Sequence, residues 1–294
     1  MLRIPDHFLD CSLYVYESIE TAKGTKPSGA SGFLVCVPLS VNTKESQPYV
    51  VTNRHVIDNV PSPVLRLNTI NGSTEFLQTN GLRWVINGED DLAVLPLDVM
   101  EENYRMTYVS VSAFMTTAIA TGRNIGPGDE AFMVGRFVSH EGTQRNTPTV
   151  RFGNIAMTPQ EPMQNAFGNL QETFLVECRS IPGFSGSPVF VYIDPTLPRA
   201  PYWATPAMPV YQPEWHGPWL LGIDWCHIHD YEPLYQADKE TRTSPAQWVK
   251  SHSGMAGVIP AWRLRALLET DELVKQRKQK DERITAEKNS DLKS

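Results

Sequence analysis

Cysteine is scarce in this chain. Four occur in 294 residues, Cys11, Cys36, Cys178 and Cys226, and none belongs to a CxxC pair. So few and so dispersed, they exclude a disulfide framework and read as reduced thiols, which makes the cytoplasm the expected compartment. Long apolar runs are missing too. None approaches the roughly 18 residues of a membrane-spanning helix. The opening stretch MLRIPDHFLDCSLYVY sets Pro5, Asp6, His7 and Asp10 where a secretory signal needs its apolar segment. Neither export by that route nor a membrane partner is therefore expected. Positive charge is in deficit: 26 Lys and Arg face 33 Asp and Glu, for a formal net charge of −7. That sign disfavours nucleic acid and anionic lipid as main partners. No internal repeat of fixed period is visible.

What is present suits a globular protein. The length allows one large domain or two packed subdomains around a sizeable core. Hydrophobic residues make up 41% and charged residues 20%, as in water-soluble chains. Short apolar runs recur between clusters of Gly, Pro, Asn and Asp. They are GFLVCVPL (32–39), PYVVTN (48–53), VLRLNTI (64–70), DLAVLPL (91–97), EAFMVGRF (130–137), TVRFGNIA (149–156), TFLVECR (173–179), SPVFVYI (187–193) and WLLGIDW (219–225). Runs of this length with turn signals between them predict an all-β sandwich or barrel rather than βαβ units. TGRNIGPGD (121–129) reads as a crossover between two β subdomains. The proline- and aromatic-rich stretch 194–218 reads as a long hairpin insertion. After Pro260 the composition turns helical. Pro260 is expected at a helix start, with Trp262, Leu264, Leu267 and Leu268 docking one face. From about residue 275 apolar content falls away, as in a solvated helix or a disordered tail.

Three residues carry the parts that serine acyl transfer needs: a nucleophile, a base beside it and an acid to orient the base. His55, in VVTNRHVID, follows an apolar strand directly, and a strand end is a rigid mount for a catalytic side chain. By itself it also reads as an ordinary turn histidine. Asp91, in GEDDLAVLPL, opens an apolar strand and is the candidate orienting acid. Asp90 is the alternate, and because strand residues alternate faces only one of the two can meet the histidine. Ser185, in PGFSGSPVF, is the candidate nucleophile. Gly183 and Gly186 permit a tight turn around it, and the amides of Gly183 and Ser185 can converge on an oxyanion. Ser187 precedes Pro188 at a strand start and reads as a small packing residue.

In the order His, Asp, Ser, and with these flanks, the motifs resemble the trypsin-like serine peptidases. The nearest likeness is to the bacterial peptidase domain of HtrA/Deg-type proteins. That family carries a TN-x-HV motif, a DLAVL motif and a GNSGGP motif; the chain has TNRHV (52–56), DLAVL (91–95) and GFSGSP (183–188). The likeness spans roughly residues 10 to 268. It implies two six-stranded antiparallel β-barrels, residues 1–120 and 121–260, with the site between them. A C-terminal helix and charged tail follow over 261–294, too few residues for the PDZ domain of the Deg-type proteins. It implies a serine endopeptidase without cofactor or metal, acting on protein or peptide substrates through His55 as base, Asp91 as orienter and Ser185 as nucleophile. Gly183 and Ser185 would supply the oxyanion donors. Asp224, Trp225 and Cys226 would fall on the strand that pairs with substrate backbone. Arg179, six residues before Ser185, would lie near the base of the primary specificity pocket. There it would favour an acidic substrate side chain, or pair internally, or turn to solvent.

The chain departs from the secreted members. Phe184 stands where they have the aspartate that pairs with a new N-terminus, and no IVGG-like start precedes the first barrel. Ser187 replaces a glycine. Activation by zymogen cleavage is therefore not implied, and restraint by a regulatory protein partner becomes an alternative. A catalytically silent or conditionally active relative, working as a binding module, is the second reading. An α/β-hydrolase esterase is a third, because GFSGS partly mimics G-x-S-x-G, but the β-rich pattern disfavours it. In DWCHIHD (224–230), His227 and His229 share one strand face, where a structural metal is the lesser reading and a cleft or surface role the greater.

Overall fold

The computed structural model describes residues 3–24, 28–39, 45–99, 101–165, 167–193, 217–235 and 247–291. A short helix α1 (Asp6–Asp10) leads into β1 (Ser12–Tyr16), and α2 (Ile19–Lys23) into β2 (Ala30–Pro38). Then come β3 (Ser46–Thr52), a single helical turn α3 (Arg54–Ile57), β4 (Val64–Asn68), β5 (Thr74–Gln78), β6 (Ala93–Pro96) and β7 (Val109–Ser110). These strands form one sheet in the order β5-β4-β1-β2-β3-β6, antiparallel throughout, with β7 parallel to β2. Helix α4 (Thr117–Gly122) precedes the second half. There β8 (Glu130–Gly135), β9 (Thr149–Met157), the small hairpin β10 (Met163–Gln164) and β11 (Leu170–Gln171), β12 (Phe174–Glu177), β13 (Pro188–Tyr192), β14 (Trp219–Pro233) and β15 (Trp248–Pro260) follow. Six of them close a barrel in the order β12-β15-β14-β13-β8-β9.

The all-β architecture predicted from the apolar runs is therefore present, with one difference. Only the second sheet closes. In the first, β5 and β6 share no hydrogen bonds, and the chain between them contributes a single bridge, Val85 to Val94. The long connection over 79–92 carries Asp90 and Asp91.

Strand alternation divides the core. Within β8, Met133 points into the barrel with Ile155, Phe174, Val176, Val189 and Val258. Its neighbours Phe132 and Val134 point out, toward Phe33, Val35, Val51 and Val94 of the first sheet. A period of two thus gives the closed barrel an interior and an apolar outer face that seats the other sheet. Each fully buried Phe, Leu or Val in this seam contributes on the order of 2 kcal/mol. A second link is polar. Arg136 is 1% exposed, pairs with Glu141 and lies over the rings of Tyr14 and Tyr16.

Helix α5 (Ala261–Leu268) starts after Pro260 and buries Leu264, Leu267 and Leu268, as the sequence predicts. Trp262 is half-buried, and its indole N–H donates to Glu172. Residues 271–291 form a further helix, α6 (Asp271–Asp291). Among its described residues only Leu273 joins the apolar core; polar side chains tie the helix to the first sheet and to α5. Arg277 donates to the Tyr49 hydroxyl at 2.9 Å and to the Leu268 carbonyl at 2.8 Å, and Lys280 pairs with Asp98 at 2.7 Å. The predicted insertion at 194–218 joins two adjacent antiparallel strands, β13 and β14; residues 194–216 themselves lie outside the described residues.

Candidate active site

β3 ends at Thr52, and Asn53 opens the single turn α3 that carries His55. Asn53 turns inward: it is buried, and its side-chain amide donates to the Asp91 carbonyl at 3.0 Å, tying the start of the turn to Asp91. Asp91 grips the turn in return. Its Oδ1 accepts the His55 backbone N–H at 2.8 Å, and its Oδ2 lies 2.6 Å from His55 Nδ1. The Asp91 side chain is 1% exposed and that of His55 is 34% exposed. A carboxylate held dry on one side thus fixes an imidazole whose other nitrogen, Nε2, is left to face a ligand. Asp90 turns the other way. Its carboxylate takes Arg263 at 3.0 Å, Asn87 at 2.7 Å and Gln171 at 2.8 Å. The two adjacent aspartates therefore sort onto opposite faces.

The segment around Ser185 is two consecutive tight turns. Phe184 N–H donates to Ile181 O at 3.1 Å, and Ser187 N–H donates to Phe184 O at 2.8 Å. Both glycines are required by geometry. Gly183 has φ +101° and Gly186 has φ +86°, which favour glycine. A Cβ on Gly186 would also sit 2.2 Å from the Ser31 carbonyl and 2.5 Å from the Thr52 hydroxyl. That close approach presses the turn against the end of β3, which leads into the turn that carries His55. Among the described residues, the N–H groups of Gly183 and Ser185 donate to nothing, so both are available to an incoming oxyanion. No hydrogen bond joins Ser185 Oγ to His55 among the described residues.

Ser31, which the sequence reading did not single out, organises this contact. Its N–H donates to Ser185 O at 2.9 Å and its Oγ to Gly183 O at 2.8 Å. Its Oγ accepts from Arg136 N–H, and its carbonyl accepts from the Thr52 hydroxyl, both at 2.8 Å. Gln171, also missed, is fully buried and reaches across from the second half. Its Oε1 accepts from Asp91 N–H at 2.9 Å while its amide donates to Asp90. No signal in the sequence marks either residue, because each acts through a contact between halves.

Phe184 packs, as expected of an apolar side chain. It is 0% exposed in the barrel core with the Arg151 guanidinium 4.8 Å from its ring centroid. Ser187 is buried against Gly135, where only a small side chain fits. Arg179 is exposed and has no partner among the described residues. Asp224, Trp225 and Cys226 all lie on β14. Asp224 has both backbone groups committed: its N–H donates to Ser187 O and its C=O accepts from Gly186 N–H, each at 2.9 Å. Since β13 begins at Pro188, paired with Ile223, that edge of β14 has no described strand beside it from Trp225 onward. His227, His229 and His252 of β15 cluster: His227 meets His229 edge-on at 4.3 Å between centroids and His252 tilted at 4.7 Å, and His229 stacks on His252 at 5.8 Å. Among the described residues no group of His, Cys, Asp or Glu is disposed to hold a metal ion.

Residues 30–192 match the model of a family described as the trypsin-like peptidase domain. The chain belongs to the trypsin-like peptidase family. The family match takes in His55, Asp91 and Ser185 together with Ser31 and Gln171. No curated protein matches the chain. Among solved structures, the MamO protease domain from Magnetospirillum magneticum is 15% identical, with a TM-score of 0.51 over 90% of this chain and 98% of that one. At that identity the likeness speaks for the trypsin-like fold alone. Deg5 is 15% identical, with a TM-score of 0.39 over 63% of this chain and 75% of that one. The HtrA-type protease AlgW is 16% identical, with a TM-score of 0.46 over 90% of this chain and 61% of that one.

Proposed function

We propose that this trypsin-like chain is a serine endopeptidase that cleaves peptide bonds through an acyl-enzyme. The observation that carries the reading is the 2.6 Å pair of Asp91 Oδ2 with His55 Nδ1, set where the Ser185 turn meets the same strand end. Ser185 Oγ attacks the scissile carbonyl while His55 Nε2 takes its proton. Asp91 holds the imidazole in the tautomer that keeps Nε2 basic and stabilises the imidazolium that forms. The Gly183 and Ser185 amides receive the oxyanion, an interaction worth about 3 kcal/mol per donor in such sites. His55 then passes its proton to the leaving amine, and water repeats the sequence on the ester. No step calls for a cofactor. The free edge of β14 at Trp225 and Cys226 suits an extended peptide, and the unpartnered charge of Arg179 suits an acidic side chain on it. Four free thiols support a reducing compartment such as the cytoplasm.

A second reading has one observation in its favour. Among the described residues Ser185 and His55 are not hydrogen-bonded to each other, so the site needs a realignment before it can react. Such looseness is common before substrate binds, but it also fits a conditionally active protein that a partner switches on. A fluorophosphonate probe separates the two. Labelling of the wild type and none of Ser185→Ala supports the peptidase. No labelling under any condition would leave the binding-module reading. Labelling with turnover of small esters but no peptides would replace the endopeptidase by an esterase.

A further inference from the structure

Three buried carboxylates lie around the site, and their partners differ. Asp91 faces His55. Asp224 accepts the Ser180 hydroxyl on Oδ2 at 2.8 Å. Asp90 faces the Arg263 guanidinium of α5, whose Nε lies 3.0 and 3.1 Å from its two oxygens. A buried carboxylate is costly without a charge or donors of its own, and that accounts for Arg263. It does not account for Gln171, which stands between Asp90 and Asp91 and bonds to both.

Asp91 sits just ahead of β6, past the pair of Thr52 with Ala93 that ends the ladder to β3. Its backbone groups therefore go to side chains. The C=O accepts from Asn53 at 3.0 Å, and the N–H donates to Gln171 Oε1 at 2.9 Å. Asn53 opens the same turn as His55, whereas Gln171 arrives from the second half. The Gln171 amide has one workable orientation. Its oxygen has to meet the Asp91 N–H, and its nitrogen has to meet the Asp90 carboxylate, at 2.8 Å. That nitrogen also lies 3.4 Å from the Glu172 carbonyl. Arg263 thus fixes Asp90, Asp90 fixes the Gln171 amide, and the amide fixes the main chain at Asp91. The hairpin that ends in Gln171 grips the same loop a second time. Asn169 donates to the Gly88 carbonyl at 2.8 Å and to the Glu89 carbonyl at 3.2 Å. Helix α5 holds the end of that hairpin too, through the Trp262 N–H on Glu172 at 3.1 Å.

We infer that Gln171 and Arg263 are positioning residues for the orienting acid: hydrogen bonds running from α5 through Asp90 and Gln171 set the alignment of Asp91 on His55. The kinetic side of this rests on the peptidase reading; the geometric side does not. Asp91 Oδ2 meets His55 Nδ1 across 2.6 Å, and so short a bond tolerates little displacement of the carboxylate. The His55–Asp91 pair is built wholly from the first half of the chain, yet it is aligned only once the hairpin and α5 are in place.

The test compares wild type with Gln171→Leu, Arg263→Met and Arg263→Lys. Gln171→Leu removes both amide bonds at similar volume. Arg263→Met removes the cation from a partly exposed position, and Arg263→Lys restores it. One readout is the low-field proton resonance of His55 Nδ1–H, assigned by its loss in His55→Gln, which reports the bond to Asp91 without any turnover. The other is the rate of fluorophosphonate labelling. In Gln171→Leu and Arg263→Met the resonance is expected to move upfield or to broaden by exchange with water, and labelling to slow by on the order of tenfold or more. Arg263→Lys should recover most of both. An unchanged resonance in Gln171→Leu and Arg263→Met would overturn the inference whatever their stability, since the two residues would then only hold the fold together. A shifted resonance with unchanged labelling would overturn its kinetic side. If Gln171→Leu does not fold, the two Arg263 variants decide by the same criteria. Absence of labelling in every protein, wild type included, would sink the peptidase reading and leave the resonance to decide the positioning role.

Discussion

Replacing Asp224 by Asn should make the protein more stable at alkaline pH, and the size of the gain follows from its surroundings. An unfolded aspartate ionises near pH 3.8, whereas in the fold burial holds the Asp224 carboxyl up to about 7. The folded state therefore keeps a proton that the unfolded chain releases. Its contribution to stability is complete below about pH 4, declines as the pH rises through 7, and is gone above that. A displacement of roughly three pH units corresponds to about 4 kcal/mol across the window, at about 1.4 kcal/mol per unit. Asn is close in shape, can accept the Ser180 hydroxyl and does not titrate, so the variant lacks this decline. Urea unfolding of both proteins at matched pH values between 4 and 9 isolates the effect, because all other titrating groups are shared. The difference in unfolding free energy should move in favour of the variant by 2 kcal/mol or more (about 4 at the limit) between acid and alkaline pH. A difference that stays constant across the range would refute the reasoning and show that Asp224 ionises as freely in the fold as out of it.

Four further outcomes are expected. Asp91→Asn should fold, since the carbonyl oxygen of Asn can still accept the His55 N–H, but lose about four orders of magnitude in peptide turnover because the ring is held in the wrong tautomer; activity within tenfold of wild type would deny Asp91 its role. Phe184→Ala empties a fully buried aromatic site and should cost about 3–5 kcal/mol in denaturant unfolding. Gly186→Ala forces a Cβ onto the Ser31 carbonyl at a positive φ, so labelling should vanish, with a loss of stability of at least 1–3 kcal/mol. Arg179→Ala should weaken any preference for acidic side chains in a peptide-library cleavage profile, and an unchanged profile would place Arg179 outside the substrate pocket.

The sequence announced the strands well where burial was two-sided. β2, β3, β8 and β13 are continuous apolar runs, and each appears where its run lies. It was silent on β1, whose SLYVY follows a polar, helix-forming stretch without a turn signal. It also missed the outer halves of β14 and β15, where HIHDYEP and WVKSHS are polar and exposed. Those halves are held by backbone pairing with each other, which leaves no hydrophobic period to read. The choice between Asp90 and Asp91 was legible as an alternation problem but not its answer, which depends on Gln171 and Arg263 arriving from far along the chain. Ser31, Gln171 and Ser180 were invisible for the same reason. Each is an ordinary polar residue until the two halves meet, and only then does its hydrogen bond acquire a destination.

Ser31 gives that meeting a mechanical meaning. All of its polar atoms are engaged, on the turn around Ser185, at the end of β3 and at Arg136 just past β8. The reactive turn is in effect a gauge of how the two sheets sit against one another. A slip of one sheet past the other would have to break a Ser31 bond or carry Gly183 with it, and Gly183 is one of the two donors proposed for the oxyanion. A substitution in the apolar seam that shifts this alignment is therefore expected to disturb the turn as well as the core.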